Sequence, residues 1–264
     1  MESVLHFDNV ALVRGATQVL NGVNWNVQAG EHWVIVGPNG AGKTSLIQIA
    51  ATFLHPSSGA VRILDEPLGL TDVSDLRPRI GVSSAAMAER IDHTEKVLDV
   101  VRTAAFGMTG TWQEQYEEQD TQRALNLVAE WGLQGFEHRE FGTLSEGEKK
   151  RVLIARALMT NPEVIIMDEP AAGLDIAARE DLLALLDHQT SSPNAPVNIL
   201  VTHHVEEIPQ GMTHAMIICE GVPLDVGPIH QVLTSENISA AFGVNVHVDQ
   251  RETHRGKRWT VSLA

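Results

Sequence analysis

The chain has 264 residues, of which 43% are hydrophobic and 20% charged, and its 34 acidic against 19 basic side chains give a net charge of -15. This is the composition of a globular chain with enough apolar material for one large domain, or a core with an inserted subdomain. The acidic balance argues against a partner in nucleic acid, since the densest basic runs are only Lys149-Lys150-Arg151 and Arg255 to Arg258. Met1-Glu2-Ser3 opens no basic region leading into an apolar stretch, and no apolar run approaches bilayer length, so a cytoplasmic location is expected.

In chain order, the first thirty residues alternate like strands. Val23, Trp25 and Val27 fall on one face and Asn24 and Asn26 on the other, with Arg14-Gly15-Ala16-Thr17 as the hairpin turn. The apolar run Trp33 to Val36 precedes a glycine-rich segment, after which a helix is expected from about Ser45 to Leu54, ending near His55-Pro56. Strands follow at Val61 to Leu64 and at about Ile80 to Ser84. From there to Asn161 the chain reads mostly helical, with Leu125, Val128 and Trp131 on one apolar face and Gln113 to Asp120 as a solvated acidic stretch. Strand-like runs at Val164 to Met167, Asn198 to Val201 and Ala215 to Cys219 flank a helix from about Ala177 to His188, and Cys219 reads as a buried strand thiol. The last residues read as a polar end closed by Trp259 to Leu263. Strands alternating with helices imply an α/β fold with a mainly parallel sheet covered on both faces.

Gly37-Pro38-Asn39-Gly40-Ala41-Gly42-Lys43-Thr44 carries the first chemistry. Gly37, Gly40 and Gly42 allow a tight turn, so that backbone N–H groups and the helix start at Ser45 converge on one polyanion. Lys43 then supplies charge to the outer phosphates of a nucleoside triphosphate and Thr44 a hydroxyl to Mg²⁺. Val164 to Met167 delivers Asp168 and Glu169 at a strand's C-terminal end, where open α/β sheets place ligands. Asp168 suits a Mg²⁺ shell, and Glu169 suits an attacking water. Leu144-Ser145-Glu146-Gly147-Glu148 has the spacing of a capping box at the start of a helix.

With these motifs in this order, the chain resembles an ATP-binding-cassette (ABC) ATPase over nearly its whole length. Leu144 to Glu148 is similar to the signature usually written Leu-Ser-Gly-Gly-Gln, Ala172-Gly173-Leu174-Asp175 to the D-loop, and Val201-Thr202-His203 to the switch-histidine segment. The resemblance implies a P-loop NTPase (RecA-like) core with an N-terminal antiparallel β-subdomain and an inserted helical subdomain. Residues 1–83 and 162–240 would form the core, 84–161 the helical part and 241–264 an extension. It implies ATP and Mg²⁺ bound in a head-to-tail dimer, with itself or a similar cassette. Each ATP would lie between one phosphate loop and the other protomer's Ser145 and Gly147, with Asp175 close by. Glu169 would orient or deprotonate water, His203 contact the γ-phosphate, and Lys43 stabilise developing charge.

Three positions depart from the family pattern. The adenine-stacking aromatic aligns with Arg14, which reads either as a stacking guanidinium or as an exposed turn residue. The Q-loop glutamine aligns with Ser84, whose hydroxyl is a shorter candidate for Mg²⁺ or water. Glu146 and Glu148 replace Gly and Gln in the signature, so Glu146 must point away from a bound triphosphate. These departures are similar to those of molybdenum-transport-associated cassettes, a likeness that carries no substrate with it. The leading expectation is a transporter's energy-coupling ATPase, peripheral on the inner face of the cell membrane and driving separate transmembrane permease subunits. A soluble cassette with a cofactor-assembly or repair-type role, and a cassette that binds ATP without turnover, are the other readings of the same motifs.

Overall fold

The computed structural model describes residues 3–110 and 116–264. Strand β1 (Ser3–Arg14) pairs antiparallel with β2 (Thr17–Gln28), with Arg14 opposite Thr17 at the expected turn. Val23, Trp25 and Val27 are buried while Asn24 and Asn26 face solvent, because residues two apart share one face of a strand. Strand β3 (Trp33–Val36) is wholly buried and leads through the glycine-rich loop into helix α1 (Lys43–Ala50).

Helix α1 begins and ends earlier than the sequence suggests. Gly42, at φ 100°, turns the chain directly into the helix. At the other end Thr52 adopts φ 63°, its N–H donating to the Ile49 carbonyl at 3.0 Å while the Phe53 N–H donates to the Gln48 carbonyl at 2.8 Å. That pair of bonds is a Schellman stop, usually built on glycine, and a threonine in its place leaves no sequence signal. Strand β4 (Ser58–Ile63) starts earlier than expected, runs beside β1 and bears β5 (Glu66–Pro67), completing a sheet of order β2-β1-β4-β5.

After helix α2 (Val73–Leu76) and strand β6 (Ile80–Ser83) come helices α3 (Ala85–Ala88), α4 (Val97–Arg102), α5 (Glu118–Glu130) and α6 (Glu146–Ala157). Of the acidic stretch Gln113 to Asp120, residues 113–115 lie outside the described residues, and Glu118 opens α5. The buried face at α5 is Ala124, Leu127, Val128 and Trp131; Leu125 lies at the edge of that stripe and is only half-buried. Strand β7 (Val164–Asp168), helix α7 (Ile176–Thr190), and strands β8 (Val197–Thr202), β9 (His214–Cys219) and β10 (Val222–Pro228) complete a second sheet of order β10-β9-β3-β8-β7-β6. Strands β9, β3, β8, β7 and β6 are parallel, and β10 is an antiparallel edge. Cys219, at the end of β9, is half-buried rather than enclosed, its thiol 3.5 Å from the Ala241 carbonyl.

Both faces of this sheet are covered. Along β3, Trp33 and Ile35 enter a cluster with Phe7, Trp25 and Leu46, whereas Val34 and Val36 enter a second cluster with Val152, Leu182 and Trp131. The sheet is therefore the shared wall between two cores, one under the β1–β2 layer and one under the helices. The chain continues into α8 (Ile229–Val232), α9 (Ser235–Phe242), β11 (Val246–Thr253) and β12 (Gly256–Leu263). Instead of a polar end, β11 and β12 form a hairpin docked by Arg258 and Trp259, which are 6% and 8% exposed. Among the described residues, no helix is long and apolar enough to cross a membrane.

Candidate nucleotide-binding site

The loop from Gly37 to Thr44 lies at the C-terminal end of β3, in the middle of the parallel sheet. A Cβ at Gly37 would run into the Ile218 carbonyl, and one at Gly42 into the Val19 carbonyl and the Leu20 side chain. Glycine is therefore a packing requirement at both positions, and at Gly42, whose φ is 100°, a conformational one as well. Asn39 and Gly40 form the exposed tip, Ala41 is buried and its N–H donates to the Pro38 carbonyl at 3.2 Å. Lys43 is buried, and its Nζ donates to the carbonyls of Gly37 at 2.7 Å and Pro38 at 2.9 Å. Burial holds its amine below the usual lysine range, against the pull of Glu169 and Asp168. Ser45 is buried in the first turn of α1, and Thr44 is exposed.

Across from the loop, β7 brings Asp168 and Glu169 to the same edge of the sheet. The Thr44 hydroxyl donates to Asp168 Oδ2 at 3.3 Å. Burial, followed by the adjacent Glu169 carboxylate, raises the Asp168 carboxyl above its usual range, while Thr44, Lys43 and Lys150 oppose that shift. Glu169 adopts φ 50° and its N–H donates to the Val201 carbonyl at 2.9 Å, which pins its backbone to β8. His203, just past β8, places Nδ1 2.9 Å from Glu169 Oε1. A cavity of about 360 Å³ beside these groups is lined by Thr44, Gln48, Ser84, Lys150, Asp168 and Glu169 among others. A hydroxyl and a carboxylate converging at the mouth of a helix N-terminus are the hard oxygen donors that Mg²⁺ takes, with its other positions left to phosphate and water.

The remaining sequence candidates stand around this centre. Ser145 caps α6: its Oγ accepts from the Glu148 N–H at 3.3 Å while Glu148 Oε2 accepts from the Ser145 N–H at 2.7 Å, the full capping box. Glu146 turns along the helix to Lys149 at 2.9 Å. Gly147 backs onto α7, where a Cβ would stand 3.2 Å from the Ala178 methyl. Asp175 caps α7, its Oδ1 accepting from the Ala178 N–H at 2.8 Å. Ser145, Gly147 and Asp175 do not line the cavity. Arg14 is exposed at the end of β1 and its Nη2 donates to Gln48 Oε1 on α1 at 3.2 Å. Ser84 does reach the cavity wall, but its Oγ also caps α3 by accepting from the Met87 N–H at 3.2 Å.

The sequence profile described as ABC transporter matches residues 20–172. YlmA of Bacillus subtilis (strain 168), described as an uncharacterized ABC transporter ATP-binding protein, is 36% identical over 246 residues, covering 93% of each chain. The chain belongs to the ABC transporter family. Among solved structures, a putative metal-chelate type ABC transporter in an inward-facing conformation superposes with a TM-score of 0.80 at 22% identity, covering 99% of this chain and 98% of that one. The bacterial ABC transporter cassette MJ0796, in its dimeric structure, superposes with a TM-score of 0.74 at 25% identity, covering 85% of this chain and 98% of its own.

In this ABC cassette two further residues stand at the site that sequence reasoning passed over. Lys150 donates to the Glu169 carbonyl at 3.2 Å, and burial lowers its amine below the usual range. In the sequence it sits in a basic run four residues after Glu146, the spacing of a solvated helix pair, and only the packing of α6 against β6 and α7 reveals its place. Glu207, buried four residues past His203, accepts from the Thr202 hydroxyl at 2.6 Å. The adjacent pair Glu206-Glu207 carries no sequence signal for which of the two is buried.

Proposed function

We propose that this ABC cassette is the ATP-hydrolysing subunit of a transporter, binding ATP at Gly37 to Ser45 and closing head-to-tail on a second copy or a similar cassette. Thr44 and Asp168 would hold Mg²⁺, which neutralises charge on the β- and γ-phosphates. The observation that carries this reading is the His203 and Glu169 contact at 2.9 Å, placed beside the Thr44–Asp168 pair at the end of the parallel sheet.

The chemistry follows from that placement. Glu169 orients the water and accepts its proton as the water oxygen bonds to the γ-phosphorus and the bond to the ADP oxygen breaks. Lys43, released from the Gly37 and Pro38 carbonyls, and His203 meet the charge on the γ-phosphoryl oxygens. The partner's helix start at Ser145 and Gly147, with Asp175 behind it, completes the cage and makes closure depend on ATP. Ser84 supports the metal side of the site through its hydroxyl, and Arg14 lies against the base. The dimeric MJ0796 cassette supports pairing of two copies.

Membrane subunits would dock on the helical part, residues 84–161. In support, a cavity of about 500 Å³ opens between Phe53 and Arg77 on the core side and Arg90 and Phe106 on the helical side. In this reading the chain sits on the inner face of the cell membrane, coupled to separate permease subunits, with the substrate chosen by those partners.

Glu169→Gln tests the reading. Turnover is expected to fall at least about a hundredfold, as for loss of a general base, while ATP still produces a stable dimer. Wild-type turnover in Glu169→Gln would remove this carboxylate from the reaction. Recovery of a polytopic partner with the tagged chain from native membranes in mild detergent tests the coupling to transport, and a purely soluble complex would count against it.

A further inference from the structure

His203 opens a segment that runs to Met212 before β9 begins, and this segment is tied at both ends. Near its start, the Thr202 hydroxyl donates to the buried Glu207 carboxylate at 2.6 Å. Near its end, the Gln210 backbone N–H donates to Asp187 Oδ1 of α7 at 2.6 Å. Asp187 is shared. Its Oδ2 accepts from Arg258 Nη1 of β12 at 3.0 Å, and Arg258 Nε reaches Glu180, two turns back on α7, at 3.4 Å. The Gln210 side chain in turn clasps the hairpin, Nε2 donating to the Arg255 carbonyl at 3.0 Å and Oε1 accepting from the Lys257 N–H at 3.1 Å. A Cβ at Gly256, whose φ is 99°, would collide with that amide. Val205, Ile208 and Met212 share an apolar cluster with Trp259.

We propose that the β11–β12 hairpin braces the switch segment, with Arg258 acting through Asp187 and Gln210 to hold residues 203–212 and so set His203 against Glu169. Arg258 touches no reacting atom; it is a positioning residue. A guanidinium suits the task because its planar fork engages two carboxylates on one helix face, whereas a lysine is a point charge that satisfies one. This inference rests on the reading of His203 and Glu169 as hydrolytic residues.

The test uses the full chain with Arg258→Met, Arg258→Lys, Gln210→Ala and His203→Ala. It measures kcat and KM for ATP, and amide hydrogen exchange of peptides covering 203–212. Arg258→Met is expected to lower kcat about tenfold with KM within about twofold, because a small displacement of a reacting group costs rate more than binding. Exchange should rise at 203–212 and stay unchanged at 37–50. Arg258→Lys should recover part of the rate. Gln210→Ala, at an exposed side chain, should give a weaker version of the same pattern, and it carries the test should Arg258→Met fail to fold. In the His203→Ala background, Gln210→Ala and Arg258→Met should lower kcat no further. Unchanged kcat in both brace variants, losses that multiply with that of His203→Ala, or exchange raised throughout the chain would overturn the brace. Failure of the underlying reading looks different: His203→Ala and Glu169→Gln would themselves turn over like wild type.

Discussion

Ser145→Ala separates two roles that the sequence superimposes on one hydroxyl. As a cap, Ser145 accepts a long bond of 3.3 Å from the Glu148 N–H, whereas the shorter partner bond, from the Ser145 N–H to Glu148 at 2.7 Å, survives in alanine. The side chain is exposed, so water replaces it, and the inner face of α6 stays packed through Val152, Leu153 and Ile154. The loss should therefore sit at the low end for an N-cap, about 0.5–1 kcal/mol. A chain of this size should then lose roughly 2–4 °C in Tm at most. As a contact to the γ-phosphate across a dimer, the same hydroxyl makes a charge-assisted hydrogen bond whose removal costs about 1.5–3 kcal/mol at each site. Two sites per dimer would weaken association by roughly two to four orders of magnitude. The assay is light scattering after size exclusion with Mg-ATP in the Glu169→Gln background, beside ATP titration of the monomer. Expected are near-normal melting, near-normal monomer binding and loss of the dimer. A Ser145→Ala chain that dimerises as readily as its parent would leave Ser145 a cap and nothing more, and one that loses monomer binding would place the hydroxyl at its own protomer's site.

Two further outcomes follow from the geometry. Arg14→Ala should weaken ATP about tenfold while leaving inorganic triphosphate nearly unaffected, since a stacking guanidinium acts on the base and not on the phosphates; equal losses for both ligands, read by isothermal titration, would leave Arg14 a turn residue held by Gln48. His32 is buried with Nδ1 accepting from the Asn198 N–H at 3.2 Å, and burial holds its pKa below the ordinary 6.5. A base whose folded pKa is depressed contributes stability that is complete above its unfolded pKa and is lost as pH falls towards the folded one. The wild-type Tm should accordingly drop on acidification below about pH 6.5, and His32→Gln should flatten that part of the curve; identical pH profiles for the two chains would refute the assignment.

Glycine spacing, strand alternation and the Asp-Glu pair were legible because they are local. A phosphate loop needs residues without Cβ at set positions, a half-buried strand needs period two, and a capping box needs Ser and Glu three residues apart, so each leaves a pattern within a few residues. Thus Gly37 to Thr44, the Val23-Trp25-Val27 face and the Ser145–Glu148 box could all be read from the chain alone. The α1 stop at Thr52 could not, since its left-handed turn is set by packing and not by residue type. Nor could Lys150 beneath Glu169, Glu207 behind Thr202, or Arg258 between Glu180 and Asp187. These are charges whose partners lie on other elements, and in sequence they look like any solvated residue. Sequence alone determined that this protein is an ABC cassette and where its glycine-rich loop and its Asp168–Glu169 pair lie along the chain. Only the tertiary structure decided how the sheet edge bearing Asp168, Glu169 and His203 is held in place, because buried polar contacts between separate elements, and the burial that makes them matter, exist only once the chain has folded.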